Sequence, residues 1–422
     1  MSTRSVGGAS SRYHPYSGSD HHRHHHHHGS SREDRGFRRS EGTSRSSRDY
    51  YRRHGHEGES RESRRSDRHG HRSEGRRERE RHHHRHHERR HEDVERRVHH
   101  AAVPRIPRQM VQGIDNRIQV FSTYPKTSVQ PMEVICSAIS EAKKKILLKI
   151  YHISSEKIID LLVKQSANIP VCVHYQESPD LESLARGSQI MLDKREGDAL
   201  LHKKTLLVDS NLVISGSANY TDLSLDRDIN LVVKVLSSSL YKVVSSGRHG
   251  IANIENRQKV IYYPLHRTRN RIENVRPILD QLNEAQSSIQ IAMHTLTQQD
   301  IMFALERAIL RGVSVKIITD VKEKRLMYPL IKDMKLYSCV YERTCEGTLH
   351  SKVCCIDNRI LLHGSANWTG GGLNKNLEDV FIIYPLTENQ VQSFMELWKF
   401  LEENSRPFSP DSEQPSTSSS AT

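Results

Sequence analysis

The chain has 422 residues, 35% of them hydrophobic, and carries 64 Lys+Arg against 51 Asp+Glu. It contains neither the roughly 18 consecutive apolar residues that span a bilayer nor the n-region and h-region of a signal peptide. The composition therefore argues against an integral membrane or secreted protein. We expect an intracellular protein, cytoplasmic or nuclear, with peripheral association with a membrane left open.

Residues 1–105 are predicted to form a disordered tail rich in Arg, His and Ser. The first 100 residues hold 25 Arg, no Lys, 16 Asp+Glu and 20 of the 28 His, so this stretch carries +9 of the formal +13. It has too few apolar side chains to offset the entropy of ordering. Arginine forks bind phosphates with salt-sensitive, sequence-blind affinity. The tail therefore predicts attraction to nucleic acid, and an anionic phospholipid surface would attract it too.

From about Ile118 the pattern becomes that of strands interleaved with helices. A β-α-β unit is predicted twice. Its strand, helix and strand are predicted at Ile146–Tyr151, Ser155–Lys164 and Ile169–Tyr175, and again at Ile289–Thr295, Gln299–Ala308 and Val313–Ile318. Near the end, Thr387 and Gln390 form a capping-box pattern before a helix with an apolar stripe.

These patterns predict an α/β fold of two similar halves, each a mixed sheet flanked by helices. The first half is predicted at residues 117–253 and the second at 258–404, with a linker around Ile251–Lys259. Residues 405–422, rich in Ser, Pro and Thr, are predicted to form a second disordered tail.

One motif, H-x-K-x4-D, occurs once in each half and is followed each time by a second apolar run and the sequence GSAN. Corresponding positions in the two copies are all 148 residues apart. The first copy comprises His202, Lys204, Asp209, Ser217 and Asn219, and the second comprises His350, Lys352, Asp357, Ser365 and Asn367. Two matching copies at one constant spacing are not plausibly chance.

The residue types in this motif suit a tetrahedral phosphate. In a strand, residues i and i+2 share a face, so each His should lie beside its Lys, and each Ser beside its Asn. Lysines supply charge, while Ser and Asn hydrogen-bond non-bridging oxygens. One His can attack phosphorus while the other protonates the leaving oxygen and then activates water. Because the lysines neutralise charge, we predict neither a metal nor another cofactor.

The two aspartates of the motifs have an open role. Asp209 and Asp357 each fall near a predicted turn at the end of a strand, where Asp is common for local hydrogen-bonding reasons. They are counted with the histidines and lysines as candidate catalytic residues, and an architectural role is the alternative.

The paired motifs, each with its GSAN, resemble the signature of the phospholipase D superfamily over about residues 117–404. The resemblance implies two similar halves around one shared active site, with His202 as nucleophile and His350 as general acid/base, so that a monomer suffices. The family's N-x-E element, whose Glu hydrogen-bonds a motif histidine, matches at Asn376-Leu377-Glu378. In the first half Asn230 stands where Glu is expected, and an amide stabilises imidazolium less than a carboxylate does.

The second half is similar to the small mitochondrial cardiolipin hydrolase (Zucchini-like) and bacterial nuclease branch. Three functions are compatible with this resemblance. The favoured one is a metal-independent nuclease on RNA or DNA. A hydrolase or transphosphatidylase acting on cardiolipin or other phosphatidyl lipids would use the same residues, although no convincing interfacial apolar stretch is present. A non-catalytic nucleic-acid-binding scaffold is the third, and two intact motifs count against it.

His152 and His294 follow strands in their halves and form a tentative pair 142 residues apart. This spacing implies a six-residue insertion in the second half before its motif. The two side chains either line the site or have structural roles, and a structural role is favoured.

Overall fold

The computed structural model of the chain describes residues 117–409. The predicted tail at residues 1–105, and residues 410–422 of the second predicted tail, lie outside this range. Within residues 117–409, no helix combines the length and the apolar character needed to cross a bilayer.

The first half is built on a mixed seven-stranded sheet. Its strands are β1 (Ile118–Ser122), β2 (Ile146–His152), β3 (Val171–Glu177), β4 (Met191–Lys194), β5 (Lys204–Val208), β6 (Leu212–Gly216) and β7 (Leu231–Leu236). They lie in the order β1-β7-β6-β5-β2-β3-β4. β2, β3 and β4 are parallel, and the other neighbours are antiparallel.

The second half repeats this arrangement with two added strands. Its strands are β8 (Gly250–Asn253), β9 (Lys259–Leu265), β10 (Ser288–Met293), β11 (Ser314–Thr319), β12 (Val340–Arg343), β13 (Lys352–Ile356), β14 (Ile360–Gly364), β15 (Glu378–Tyr384) and β16 (Ser405–Pro407). The order is β16-β12-β11-β10-β13-β14-β15-β9-β8. The seven strands from β12 to β9 repeat the order of the first sheet from β4 to β1.

Helices flank both sheets. They are α1 (Pro131–Ser140), α2 (Glu156–Ser166), α3 (Leu181–Leu184), α4 (Ser238–Ser246), α5 (Arg276–Glu284), α6 (Gln299–Leu310), α7 (Lys324–Ile331), α8 (Gly370–Asn374) and α9 (Glu388–Glu403). α9 begins at the predicted capping box, in which the Thr387 side chain accepts from the Gln390 backbone N–H. The predicted α/β fold of two mixed sheets with flanking helices is thereby confirmed.

Two details of the predicted boundaries differ from the structure. β8 falls where the end of the first half and the linker were predicted, but it pairs with β9 in the second sheet. β16 falls at the start of the predicted second tail, but it pairs with β12. Both are short edge strands of low apolar content, whose place is decided by a neighbouring backbone rather than by their own pattern.

The halves share a hydrophobic core. Leu207 and Val213 of the first half belong to the same buried cluster as Val353 and Leu361 of the second. The close packing of strands also explains the glycine that opens each GSAN, because a Cβ at Gly216 would lie 2.2 Å from the Leu231 carbonyl oxygen. The body is therefore one continuous packed unit, with a buried cluster to which both halves contribute.

Candidate active site

The backbone of each motif pairs with a segment of the other half. A parallel bridge joins Leu201 to Leu377, and its counterpart joins Leu349 to Ile229. The His202 N–H donates to the Leu377 carbonyl at 2.9 Å, and the His350 N–H donates to the Ile229 carbonyl at 3.0 Å. Each motif histidine is therefore anchored to the other half, and both face the junction between the halves.

Glu378 of the second half holds the histidine of the first. Nδ1 of His202 lies 2.9 Å from both carboxylate oxygens of Glu378, which is fully buried. A carboxylate only accepts, so Nδ1 carries the hydrogen and Nε2 presents its lone pair. Burial lowers the pKa of His202 although Glu378 opposes this shift. The imidazole is thus neutral, and its Nε2 lone pair is not engaged by Glu378.

Asn230 of the first half holds the histidine of the second. The amide orientation is fixed because Nδ2 of Asn230 donates to the Ser224 carbonyl at 2.7 Å. Its Oδ1 therefore accepts from Nδ1 of His350 at 3.1 Å and from the Ser217 hydroxyl at 2.7 Å. Burial, reinforced by Lys352, holds the pKa of His350 well below its ordinary value. With a neutral partner, His350 releases a proton more readily than His202 does.

The two lysines of the motifs lie against their own histidines. Lys204 Nζ donates to the His202 carbonyl and Lys352 Nζ donates to the His350 carbonyl, each at 2.6 Å. Burial lowers the pKa of Lys204 to about 7. The pKa of Lys352 lies well below its ordinary value because of burial and the nearby Lys204 ammonium. An anion entering between them would favour the protonated form of both lysines.

Serine and asparagine of GSAN take different places. The Ser217 and Ser365 hydroxyls accept from the backbone N–H of Leu231 and Asp379, at 3.1 and 2.9 Å, so both fasten the following strand. Asn219 and Asn367 are half-buried, and their Oδ1 atoms have no hydrogen-bond partner among residues 117–409. Because Oδ1 only accepts, it is the Nδ2 group of each asparagine that can donate to a bound anion, whereas the serines are committed to the fold.

Asp209 and Asp357 are not brought into this cluster. Asp209 follows β5 and Asp357 follows β13, at the strand ends opposite the histidines. Asp209 accepts from the backbone N–H of the segment 143–145 at 2.6–3.1 Å, and Asp357 accepts from the segment 286–288 at 2.7–2.9 Å. Both also adopt positive φ in tight hairpin turns, which Asp tolerates. These contacts favour the architectural alternative for both aspartates.

An aromatic ring lies beside each histidine, and the pairing differs from the predicted one. Ile150 pairs with Lys204 and Met293 pairs with Lys352, so the residues that follow, Tyr151 and His294, are equivalent. Their separation is 143, and the insertion has five residues rather than six. The Tyr151 ring lies 5.0 Å from the His202 ring, and the His294 ring lies 5.4 Å from the His350 ring.

His294 therefore borders the site, although the sequence favoured a structural role for it. Its Nδ1 donates to the Leu349 carbonyl at 3.0 Å, and Nε2 lies 3.9 Å from Glu323. Burial lowers its pKa to about 4. His152 follows Tyr151, which occupies the position equivalent to His294. The His152 carbonyl accepts from Tyr220 N–H at 3.0 Å. Strand register was the missing information, because one residue reverses the face of a side chain.

A buried ion pair beside His202 was also missed. Lys203 Nζ lies 2.7 Å from Asp379, whose carboxylate additionally accepts from the hydroxyls of Tyr262 at 2.7 Å and Thr205 at 2.6 Å. Lys203 and Thr205 belong to the first half, and Asp379 and Tyr262 belong to the second. Since Asp379 follows Glu378 directly, this pair fixes the strand that carries the partner of His202.

Within residues 117–409, no group of three or more His, Cys, Asp and Glu side chains is arranged to hold a metal ion. The cluster of imidazoles and ammonium groups instead suits an anion, because it offers hydrogen-bond donors and positive charge.

Known proteins resemble the chain in sequence and fold. The family model described as "Cardiolipin synthase, PLD-like domain" matches residues 135–246 and 278–398, more than half of the chain. Mitochondrial cardiolipin hydrolase of Drosophila melanogaster is 28% identical over 167 residues, 34% of this chain and 65% of that protein. Phospholipase D of Rickettsia typhi is 29% identical over 122 residues, 29% of this chain and 59% of that protein.

These matches span about 60% of each curated relative. Among solved structures, phosphatidylserine synthase of Haemophilus influenzae superposes with a TM-score of 0.58 at 14% identity, covering 72% of this chain and 90% of that one. At that identity the superposition demonstrates a shared fold.

Proposed function

The chain belongs to the phospholipase D-like family, as its paired motifs predict, and from this membership we propose that it is a metal-independent phosphodiesterase acting through a phosphohistidine. The observation that carries the proposal is the unequal partnering of the two motif histidines. His202 is held by a carboxylate and His350 by an amide, so one imidazole is suited to attack and the other to proton transfer.

In the first step, Nε2 of His202 attacks phosphorus, forming a P–N bond as the bond to the leaving oxygen breaks. The imidazole gains positive charge, which the buried Glu378 carboxylate stabilises. His350, protonated in the complex with the anionic substrate, donates its Nε2 proton to the leaving oxygen. The amide of Asn230 does not oppose this loss.

In the second step, neutral His350 removes a proton from water, and the water oxygen attacks phosphorus. The P–N bond breaks, its electron pair returns to His202, and both histidines regain their starting states. Lys204 and Lys352 neutralise the non-bridging oxygens throughout, and the amides of Asn219 and Asn367 supply neutral hydrogen bonds. A monomer contains all of these groups, because both halves belong to one chain.

The substrate we propose is nucleic acid, RNA or DNA. The Arg-rich first 100 residues, which carry +9, would concentrate a polyanion near the site. A phospholipid is the second candidate, because the relatives reported above are named cardiolipin hydrolase and phospholipase D. A scaffold without catalysis is disfavoured by the two complete motifs, and a cytoplasmic or nuclear location remains our expectation.

The test offers full-length protein labelled single-stranded RNA, single-stranded DNA and cardiolipin vesicles side by side in EDTA. We expect cleavage of a nucleic acid, and its abolition in His202→Asn and in His350→Asn with the fold retained. Cleavage of lipid alone would reverse the order of substrates. A requirement for magnesium, or activity that survives both substitutions, would contradict the mechanism.

A further inference from the structure

A polar cavity of about 460 Å³ opens in the second half, between the β9–α5 loop, the start of α6 and α8. Its nine lining residues are all charged, polar or glycine. They include Arg271, Lys375, Thr297, Gln298, Gln299 and Asn374. Such a lining offers ammonium, guanidinium, amide and hydroxyl groups and includes no apolar side chain on which an acyl chain could pack.

The cavity adjoins the proposed active site through short pieces of chain. Lys375 precedes Asn376, whose Nδ2 donates to Glu378 at 3.2 Å. Because three residues span at most about 11 Å, Lys375 lies within that distance of Glu378, measured between Cα atoms. On the other wall, Thr297 N–H donates at 2.9 Å to the carbonyl of Trp368, the residue after Asn367.

The charge around the cavity has no counterpart in the first half. Segment 266–271 contains three arginines, whereas its equivalent, 124–129, contains a single lysine. Segment 370–375 contains a lysine and no acid, whereas its equivalent, 222–227, contains two aspartates and one arginine. The lysine of the first half is also paired with one of those aspartates, Lys126 with Asp226 at 2.9 Å. Positive charge is thus concentrated on one side of the site.

We propose that this cavity binds a phosphate of a nucleic-acid strand that flanks the scissile phosphate, with Arg271 and Lys375 as its cations. The inference rests on the proposed function and specifies its substrate class. The Arg271 guanidinium is two-thirds exposed, and one of its nitrogens lies 3.4 Å from Asp300, which orients the fork and leaves its other donors for phosphate. Amides and hydroxyls on the remaining walls suit a sugar–phosphate backbone.

The test compares two substrates of the full-length protein. A fluorescent single-stranded oligonucleotide reaches the cavity, whereas bis(p-nitrophenyl) phosphate occupies only the catalytic groups. In Arg271→Glu/Lys375→Glu we expect the ratio of kcat/KM for the oligonucleotide to that for the small diester to fall at least tenfold. The slope of log kcat/KM against log salt should flatten by about 0.7, the value for one phosphate of a single strand. Arg271→Lys/Lys375→Arg should recover most of the ratio.

A matched control reverses two exposed cations on and after α4, Lys242→Glu/Arg248→Glu, and should leave both rates unchanged. An unchanged ratio in Arg271→Glu/Lys375→Glu would overturn the inference. A third assay of the same variant on cardiolipin vesicles completes the test, and a loss of activity on these vesicles alone would also overturn the inference.

Photo-crosslinking separates this inference from the proposed function, because it requires no turnover. In His202→Asn, an oligonucleotide carrying 4-thiouridine should attach to peptides containing residues 266–276 or 370–376. Crosslinks there with no hydrolysis of any diester would refute the catalytic proposal alone. Hydrolysis without such crosslinks would refute the cavity alone.

Discussion

Glu378 and His202 lie in different halves, yet the Glu378 carboxylate holds Nδ1 of His202 at 2.9 Å. The pseudo-equivalent contact, Asn230 to His350, also crosses the junction. Replacement of Glu by Asn in the first half therefore affects the histidine of the second half. His202 retains its carboxylate, which agrees with its assignment as nucleophile, and His350 has the neutral partner that suits an acid.

Glu378→Gln should lower kcat by about 10²–10⁴-fold, the range associated with losing an oriented general base or its carboxylate. The amide removes the charge that stabilises phosphorylated His202, and it no longer fixes the tautomer. Steady-state kinetics with bis(p-nitrophenyl) phosphate, together with a thermal melt, provide the measurement.

The companion variant is Asn230→Asp, which places a carboxylate beside His350. We expect the alkaline limb of its kcat profile to move upward by about one pH unit, because an opposite charge favours imidazolium. Equal losses in both variants without any movement of the pH profile would argue that the two partners act only in packing.

The value of kcat/KM should decline above about pH 7. Burial lowers the pKa of Lys204 to about 7, so its ammonium is present below that pH and lost above it. Phosphate binding requires the ammonium form of Lys204. At higher pH, binding must therefore be accompanied by uptake of a proton at Lys204. Lys204→Arg keeps its charge and should shift the alkaline limb upward, whatever the absolute rate. A profile that stays flat to pH 9 would contradict this assignment.

Asp209→Asn and Asp357→Asn should destabilise the fold by about 1–3 kcal/mol each, because an amide cannot reproduce the acceptor geometry. For a body of this size we expect the Tm to fall by several degrees. Burial raises the pKa of both carboxyls, but the backbone N–H groups lower it by more, so the net shift is downward. Their stabilisation is therefore present above the unfolded-state pKa and is lost as pH falls through the lowered value. Activity per folded molecule, measured below the Tm, should be unaffected, and a thousandfold loss would return the aspartates to the chemistry.

Asp379→Leu should cost about 3–5 kcal/mol, because it leaves the Lys203 ammonium buried without its partner. The chain itself supplies the control, since Ser351 and Leu231 occupy the equivalent positions in the other copy. Lys203→Ser/Asp379→Leu should therefore recover part of the loss in a denaturant melt. A double variant less stable than Asp379→Leu would refute the role of the unpaired charge.

The sequence was sufficient for the fold and most of the site because both depend on repeated local patterns. The 148-residue spacing located both histidines and both lysines. It could not tell which half supplies the partner of each histidine, since that depends on packing across the junction. Alignment of His152 with His294 was wrong by one residue because short β-strands do not specify register on their own. Asp209 lay outside the cluster because five residues of strand separate the two ends of its motif.

The most direct test of this account traps the covalent intermediate. In His350→Asn, bis(p-nitrophenyl) phosphate can still phosphorylate a nucleophile, because nitrophenolate leaves without a proton, whereas hydrolysis lacks its base. After an alkaline quench and proteolysis, mass spectrometry should find the nitrophenyl phosphoryl group on His202. Its appearance on His350 in His202→Asn, with none on His202 in His350→Asn, would contradict the assignment.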